Sequence, residues 1–64
     1  MSLSDKNFYN ESSSLKLGWD PSWFGAKEFD EKLVRNIKKF QKDHGMGADG
    51  LCGPSTYRRA LTKR

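Results

Sequence analysis

The chain has little cysteine and histidine, and these shortages exclude two kinds of structure. Cys52 is the single cysteine, so no disulfide can form within the chain. With His44, the single histidine, it supplies two of the four nitrogen or sulfur ligands that a structural zinc site uses. We therefore expect neither a bound metal nor another cofactor.

Long apolar segments are also missing. No run is apolar enough to span a membrane, and the N-terminus lacks the basic and then apolar pattern of a secretory signal. We expect synthesis in the cytoplasm without a signal peptide. A chain of 64 residues holds one domain, residues 1–64, and has little room for a supported substrate cleft, so an autonomous enzyme is not expected.

The opening residues are compatible with a first helix. Leu3, Ser4 and Phe8 have the spacing of a hydrophobic staple around an N-cap serine, and Phe8, Ser12 and Leu15 would form one stripe. The three consecutive serines and the nearby asparagines are poor helix formers, so a frayed arm is the alternative. We favour the helix.

A second helix is indicated between Asp30, an N-cap residue, and Gly45, a residue that can end a helix in the left-handed conformation. Four residues recur at helical spacing on one side: Leu33, Ile37, Phe40 and His44. Five basic residues fall on the other side: Lys32, Arg35, Lys38, Lys39 and Lys42. This pattern predicts an amphipathic helix with a basic, solvated face.

A turn and a third helix follow. Asp49-Gly50 predicts a tight turn in which the aspartate side chain caps its own backbone and the glycine has a positive φ. Gly53-Pro54 predicts a helix start, because proline's fixed φ and missing N–H suit the first helical position. Tyr57, Ala60 and Leu61 continue at helical spacing. The predicted fold class is all-α, a small three-helix bundle with two structured loops.

This order of features resembles the small peptidoglycan-binding domain found at the ends of bacterial and phage cell-wall hydrolases. The second half carries most of the resemblance: Ile37 and Phe40-Gln41, Gly45 before an apolar residue, Asp49-Gly50, Gly53-Pro54-x-Thr56, and Ala60-Leu61. The first half has two further similarities: Leu17-Gly18-Trp19 resembles the Leu-Gly-aromatic sequence that follows the family's first helix, and Phe24-Gly25 resembles the aromatic-Gly sequence that precedes its second. The family's usual Asp-Gly turn is replaced here by Asp20-Pro21-Ser22-Trp23.

The resemblance implies a non-catalytic function, in which the domain binds peptidoglycan and targets an attached hydrolase to its polymeric substrate. We expect the chain to be the N-terminal module of a larger endolysin-like enzyme, beginning at Met1 and meeting its catalytic domain near Lys63-Arg64. It would act at the bacterial cell wall. Both the glycan strand and the stem peptide remain open as the ligand.

The aromatic residues are expected to supply the core and the binding site. The predicted core consists of Phe8, Trp19, Trp23, Phe24, Phe29, Ile37, Phe40 and Leu61. Trp19 and Trp23 lie so close together in a polar loop that one ring is expected to be exposed. Exposed rings with a few polar groups in a shallow groove suit sugars and peptide stems. The candidate ligand-binding residues are Trp19, Trp23, Tyr57 and Arg58, in a groove between this loop and the third helix.

The charge balance leaves other partners open. Net charge is +4, and four basic residues without an acid lie near the C-terminus: Arg58, Arg59, Lys63 and Arg64. Such a surface suits a polyanion, so a nucleic-acid-binding module is an alternative, as are a protein-docking module and a merely solvated face. The loop from Gly45 to Gly53 is too long for a helix-turn-helix, which disfavours nucleic acid.

His44 and Cys52 have structural interpretations. A Cys/His nucleophile pair requires hydrogen-bond contact and a third, orienting group. We expect His44 to satisfy carbonyl groups at the end of the second helix, and Cys52 to fill a small apolar space before Gly53.

Overall fold

Three α-helices and one short 3-10 helix form the secondary structure of residues 2–63, the part of the chain that the computed structural model describes. α1 spans Leu3–Leu17, α2 spans Glu31–Asp43, α3 spans Pro54–Lys63, and the 3-10 helix spans Pro21–Phe24. We call residues 18–30, which include the 3-10 helix, the first loop, and residues 44–53 the second loop. Residues 2–63 contain no strand, and the prediction of an all-α three-helix fold with two structured loops is confirmed. Met1, Arg64 and the side chain of Lys63 lie outside the described part.

α1 begins before the predicted position. Ser2 is the N-cap: its hydroxyl accepts a hydrogen bond from the Asp5 N–H at 3.2 Å, and the Asp5 carboxylate accepts one from the Ser2 N–H at 3.4 Å. This reciprocal pair satisfies two amide groups that a helix start leaves free. The helix prediction is confirmed, but the choice of Ser4 as N-cap is wrong because Ser4 already lies inside the helix.

The side of α1 that faces the protein is polar. Asn10 and Ser13 are buried, whereas Phe8 is 73% exposed and Leu15 is 82% exposed. The predicted stripe through Phe8, Ser12 and Leu15 therefore does not face the core, and the assignment of Phe8 to the core is wrong. The spacing of apolar residues does not identify the buried side of α1, because this helix is held to the protein through hydrogen bonds to backbone groups of the second loop.

α2 has the predicted ends. The Asp30 carboxylate accepts a hydrogen bond from the Leu33 N–H at 3.3 Å, as an N-cap does. Gly45 has a φ of +69° after the last turn, and the N–H of Met46 donates to the carbonyl of Gln41 at 2.7 Å. A second bond, from the Gly45 N–H to the Lys42 carbonyl at 3.1 Å, completes the pattern of a left-handed helix end.

The two faces of α2 also agree with the prediction. Leu33 and Ile37 are completely buried, while Phe40 and His44 are half-buried. The five basic residues of the opposite side are all exposed: Lys32, Arg35, Lys38, Lys39 and Lys42. We call these five residues the basic face of α2.

The second loop confirms the predicted turn. Asp49 Oδ1 accepts a hydrogen bond from the Leu51 N–H at 2.9 Å, and Gly50 has a φ of +77°. Pro54 is the first residue of α3, and the N–H of Tyr57 donates to the carbonyl of Gly53 at 2.9 Å. Proline suits this position because it has no N–H to leave unpaired.

The core lies between α2, the first loop and the ends of the second loop. Its buried members are Trp19, Phe24, Ala26, Leu33, Ile37, Cys52 and Ala60, with Leu17, Trp23, Phe29, Phe40 and Tyr57 packed around them. Trp19 contacts Phe24 edge-on, with ring centroids 5.6 Å apart, and Phe24 contacts Phe40 in the same way at 5.5 Å. Leu61 is 50% exposed, so its assignment to the core is wrong: it lies on the outer side of α3, while Ala60 points inward.

Candidate functional site

Gln41 holds the second loop in place. Its amide nitrogen donates to Asp49 Oδ1, to the Leu51 carbonyl and to Thr56 Oγ1, each at 3.0 Å. Its amide oxygen accepts from the Gly50 N–H, also at 3.0 Å. Gln41 is only 2% exposed, and its bonds to Thr56 and Gly50 are buried, so these two form away from competing water. One side chain of α2 thereby fixes the turn and the start of α3.

A second polar cluster joins α1 to the same loop and supports the first loop. Asn10 donates to the Gly50 carbonyl at 3.1 Å and accepts from the Cys52 N–H at 2.9 Å. The Ser13 hydroxyl donates to the Cys52 carbonyl and accepts from Trp19 Nε1, the latter at 3.1 Å. Both polar side chains are buried with their partners satisfied.

Trp19, one of the four predicted ligand-binding residues, is a core residue. It is 3% exposed, its ring packs against Phe24 and Phe29, and its N–H is already bonded to Ser13. No face of the ring is available to a ligand at the surface. We therefore revise the candidate site and assign Trp19 a supporting position beneath the loop.

The 3-10 helix presents the other tryptophan. Asp20 caps it by accepting a hydrogen bond from the Ser22 N–H at 2.8 Å and one from the Ser22 hydroxyl. Pro21 occupies its first position, and Gly25 ends it with a φ of +73°. This compact turn buries Phe24 and leaves its neighbour Trp23 half-buried at the surface. One of the two loop tryptophans was expected to be exposed; Trp19 is buried and Trp23 is half-buried, so Trp23 is the more accessible ring but is not fully exposed.

Trp23 and Tyr57 form a stacked pair. Their ring centroids lie 5.6 Å apart and their planes differ by 14°. Trp23 belongs to the first loop and Tyr57 to α3, so the structure brings together the two elements that the sequence analysis paired. Both rings are half-buried, and each thus presents part of its surface to solvent.

A shallow concavity of about 330 Å³ adjoins Trp23. It lies between the 3-10 helix and α2, and its lining residues are Trp23, Phe24, Asn36, Lys39, Phe40 and Asp43. Asn36 is held there by a hydrogen bond from its amide nitrogen to the Phe24 carbonyl at 2.7 Å. An aromatic wall with an ammonium group, a carboxylate and an amide suits a ligand that has apolar faces and many hydroxyl or amide groups.

The residues that α2 contributes to this concavity were not predicted as site residues. Asn36, Lys39, Phe40 and Asp43 follow one another at i, i+3, i+4 and i+7, so they form one stripe of the helix. The spacing was visible in the sequence, but it did not reveal that the first loop packs beside this stripe.

Arg58 lies in a different place from Trp23. It lines a concavity of about 520 Å³ on the outer side of α3, with Pro54, Ser55, Arg59 and Thr62. Arg58 is exposed, while its neighbour Tyr57 turns inward to stack on Trp23. The predicted groove between the first loop and α3 is thus occupied by the ring stack itself, and the open space beside Trp23 faces α2.

His44 and Cys52 have the expected structural positions. His44 Nδ1 lies 2.8 Å from the Phe40 carbonyl, and the two rings are in contact with centroids 4.2 Å apart. Cys52 is fully buried, and burial raises the pKa of its thiol from 9.0 to about 12. A thiol this poorly ionised is a weak nucleophile near neutral pH.

The described residues offer neither a metal site nor a membrane-spanning helix. No group of three or more His, Cys, Asp or Glu side chains between residues 2 and 63 is arranged to hold a metal ion. In the same part of the chain, each helix is too short or too polar to cross a bilayer.

Comparison with known proteins gives one match. Residues 15–59, more than half of the chain, match the model of the family described as "Putative peptidoglycan binding domain". The match includes the first loop, α2, the second loop and most of α3. No curated protein and no solved structure matches the chain significantly.

Proposed function

Since the chain belongs to the family of peptidoglycan-binding domains, we propose that it binds peptidoglycan as the targeting module of a larger cell-wall hydrolase of the endolysin type. The family match over residues 15–59 is the observation that supports this proposal. The module contributes no chemistry of its own. It raises the concentration of an attached catalytic domain at the wall, to an extent that the length of the connecting segment sets.

The proposed binding surface is centred on Trp23. Its ring is backed by Tyr57 on one side and borders the concavity lined by Asn36, Lys39 and Asp43. The stack holds the indole in one orientation, so little side-chain entropy is lost when a ligand binds. An N-acetylated sugar offers an apolar ring face to the indole, and its hydroxyl and amide groups can bond with the polar side chains.

Arg58 is a second, peripheral contact in this proposal. It is exposed on the turn of α3 that carries Tyr57, and it is suited to the free carboxylates of stem peptides because guanidinium binds carboxylate through two parallel hydrogen bonds. Arg58 and Trp23 line different concavities, so a long polymer is better suited than a small fragment to contact both.

Co-sedimentation with purified sacculi tests the proposal. The sacculi are first freed of nucleic acid and of phosphate polymers, so that peptidoglycan is the sole polymer present. We expect the 64-residue chain to pellet, Trp23→Ala to reduce its affinity by roughly tenfold, and Trp23→Tyr to retain most of it because a stacked ring remains.

Phe8→Ala is the matched control, because Phe8 is also an aromatic residue, is 73% exposed and lies on α1 away from the Trp23 concavity. It should bind like the parent. Arg58→Gln, measured separately, should weaken binding less than Trp23→Ala. If Trp23→Ala is folded by circular dichroism and pellets as well as the parent, the Trp23 surface is not the site; if the parent itself does not pellet, peptidoglycan is not its ligand.

A further inference from the structure

The basic face of α2 carries positive charge along the length of the helix. Lys32, Arg35, Lys39 and Lys42 follow at i, i+3, i+7 and i+10, so they lie above one another on successive turns, and Lys38 flanks them. With a rise of 1.5 Å per residue, the line from Lys32 to Lys42 extends for about 15 Å. No acidic residue interrupts it between positions 32 and 42.

Little of this charge is neutralised by the protein. Among the described side chains, the ion pair on this helix joins Arg35 to Glu31 at 3.5 Å, and both side chains are more than half exposed. Such an exposed pair is weak and is easily exchanged for another anion. The four lysines form no ion pair with the described residues, so their ammonium groups are available to an external partner.

Two of the lysines are positioned by their surroundings. A Cβ atom placed on Gly50 would lie 3.3 Å from both Cγ and Cε of Lys38, which shows that the Lys38 stem lies against the second loop. Lys39 lines the concavity beside Trp23. The basic face is therefore continuous with the proposed peptidoglycan-binding surface.

We propose that the basic face of α2 binds an anionic phosphodiester polymer of the cell wall, adjacent to the peptidoglycan that Trp23 contacts. This inference rests on the proposed function, because peptidoglycan binding brings the domain to such polymers. A row of cations on successive turns fits a chain that carries one charge in each repeat. Carboxylates of stem peptides fit it less well, since they branch from the glycan instead of following one another along a chain.

The lysine content of the face favours the same ligand. Four of the five cations are lysines, which act as compact point charges and do not require the planar, two-pronged geometry that arginine uses. A flexible phosphodiester chain can meet such charges in many arrangements. The five residues of the face include no aromatic ring, whereas single-stranded nucleic acid is usually held by base stacking on a series of such rings in addition to phosphate contacts.

Two double variants distinguish the effect of where the positive charges lie from the effect of the net charge. Lys32→Gln/Lys42→Gln removes the two ends of the basic face and leaves the Trp23 concavity intact. Lys6→Gln/Lys16→Gln is the control: these two residues are also ten positions apart on one helix, α1, and Lys16, like Lys42, lies in a last helical turn. Both variants lower the net charge by two. Circular dichroism establishes that both are folded.

The probe is end-labelled poly(glycerol phosphate), with binding measured by fluorescence anisotropy at about 50 and 200 mM salt. We expect the Lys32/Lys42 variant to bind roughly tenfold more weakly than the parent at the lower salt concentration. The slope of log K against log salt concentration should also be shallower by about 0.7 for each lysine removed. The Lys6/Lys16 control should stay within roughly threefold of the parent, since only screened, long-range charge has changed.

Several results would overturn the inference. Equal weakening in both double variants would mean that net charge alone matters. Tighter binding to duplex DNA than to poly(glycerol phosphate) would make the face a nucleic-acid surface. Dependence on Lys32 and Lys42 that persists with phosphate-free sacculi would identify carboxylates as the ligand. If the parent pellets with phosphate-free sacculi and does not bind poly(glycerol phosphate), this inference fails while the proposed function stands; the reverse pattern contradicts the proposed function instead.

Discussion

Replacing Gln41 by leucine should remove a large part of the stability of this domain. The leucine has a similar volume but can form none of the four hydrogen bonds of Gln41. Leu51 O and Asp49 Oδ1 keep other partners, which are the N–H groups of Gly53 and Leu51. The Gly50 N–H loses its acceptor in a buried position, and the Thr56 hydroxyl loses its donor.

The expected cost follows from these two groups. An orphaned buried polar group costs about 1–3 kcal/mol, so for two such groups we expect Gln41→Leu to lower the free energy of unfolding by about 2–6 kcal/mol. A domain of this length typically has about 3–10 kcal/mol in total. Urea titration followed by tryptophan fluorescence measures the change, and exchange of the Gly50 amide hydrogen should accelerate in parallel.

Two further variants make the reasoning refutable. Arg35→Leu introduces the same residue at an exposed position of α2 and should cost less than about 0.5 kcal/mol. Gln41→Glu places a carboxylate against Asp49 Oδ1 and the Leu51 carbonyl, so its pKa should be raised in the folded state. The free energy of unfolding of Gln41→Glu should then be much lower than that of the parent at neutral pH, and this difference should shrink as the pH falls below the raised pKa of the glutamate. A loss below 1 kcal/mol for Gln41→Leu would show that the second loop holds its shape without this residue.

Two more predictions concern the backbone and the thiol. Gly50→Ala should lower the free energy of unfolding by about 3 kcal/mol or more, because φ is +77° and the new Cβ would lie 2.7 Å from Val34 Cγ1. Gly18→Ala should lower it by only about 1 kcal/mol, because φ is +87° but the space around the new Cβ is open. Similar urea midpoints for the two variants would contradict this prediction. The Cys52 pKa, raised by burial to about 12 from 9.0, means that the unfolded chain loses this proton at lower pH than the folded chain. Stability should therefore fall by about 1.4 kcal/mol between pH 8 and 10 relative to Cys52→Ala, and parallel pH profiles for the two proteins would refute the assignment.

Local chemistry made both ends of α2 and the start of α3 predictable. Asp30, Gly45 and Gly53-Pro54 act through the backbone of their immediate neighbours, so their roles can be recognised without knowing the tertiary structure. The Asp49-Gly50 turn is local in the same sense. The resemblance to the peptidoglycan-binding family, which rested on these residues, is confirmed by the match over residues 15–59.

The orientation of α1 could not be read in this way. Its inward residues, Asn10 and Ser13, bond to backbone groups of the second loop about forty residues away, and neither carries an apolar signal. Phe8 and Leu15 had the expected spacing but face solvent. A hydrophobic pattern identifies a buried face only when that face is apolar. The helical period of α1 was therefore recognised, but the wrong side of the helix was assigned to the core.

The candidate site was partly predictable for a related reason. The aromatic and polar composition of the first loop indicated a surface ring, and the stack of Trp23 on Tyr57 joins the loop to α3. Which of the two tryptophans is buried depends on the 3-10 turn between Asp20 and Gly25 and on the bond from Trp19 to Ser13. The contribution of Lys39 to the same surface depends on how the loop packs on α2, which no local pattern encodes.

The polar junction between α1 and the second loop affects where the domain can be cut. The family match starts at residue 15, after the two residues of α1 that complete the loop's hydrogen bonds. A fragment trimmed to residues 15–59 would keep the whole segment that matches the family. It would nevertheless leave the Gly50 carbonyl and the Cys52 N–H and carbonyl without their partners, and Trp19 without its hydroxyl acceptor. We therefore expect the smallest unit that folds to be larger than the matched segment and to include both α1 and the end of α3, which carries the buried Ala60.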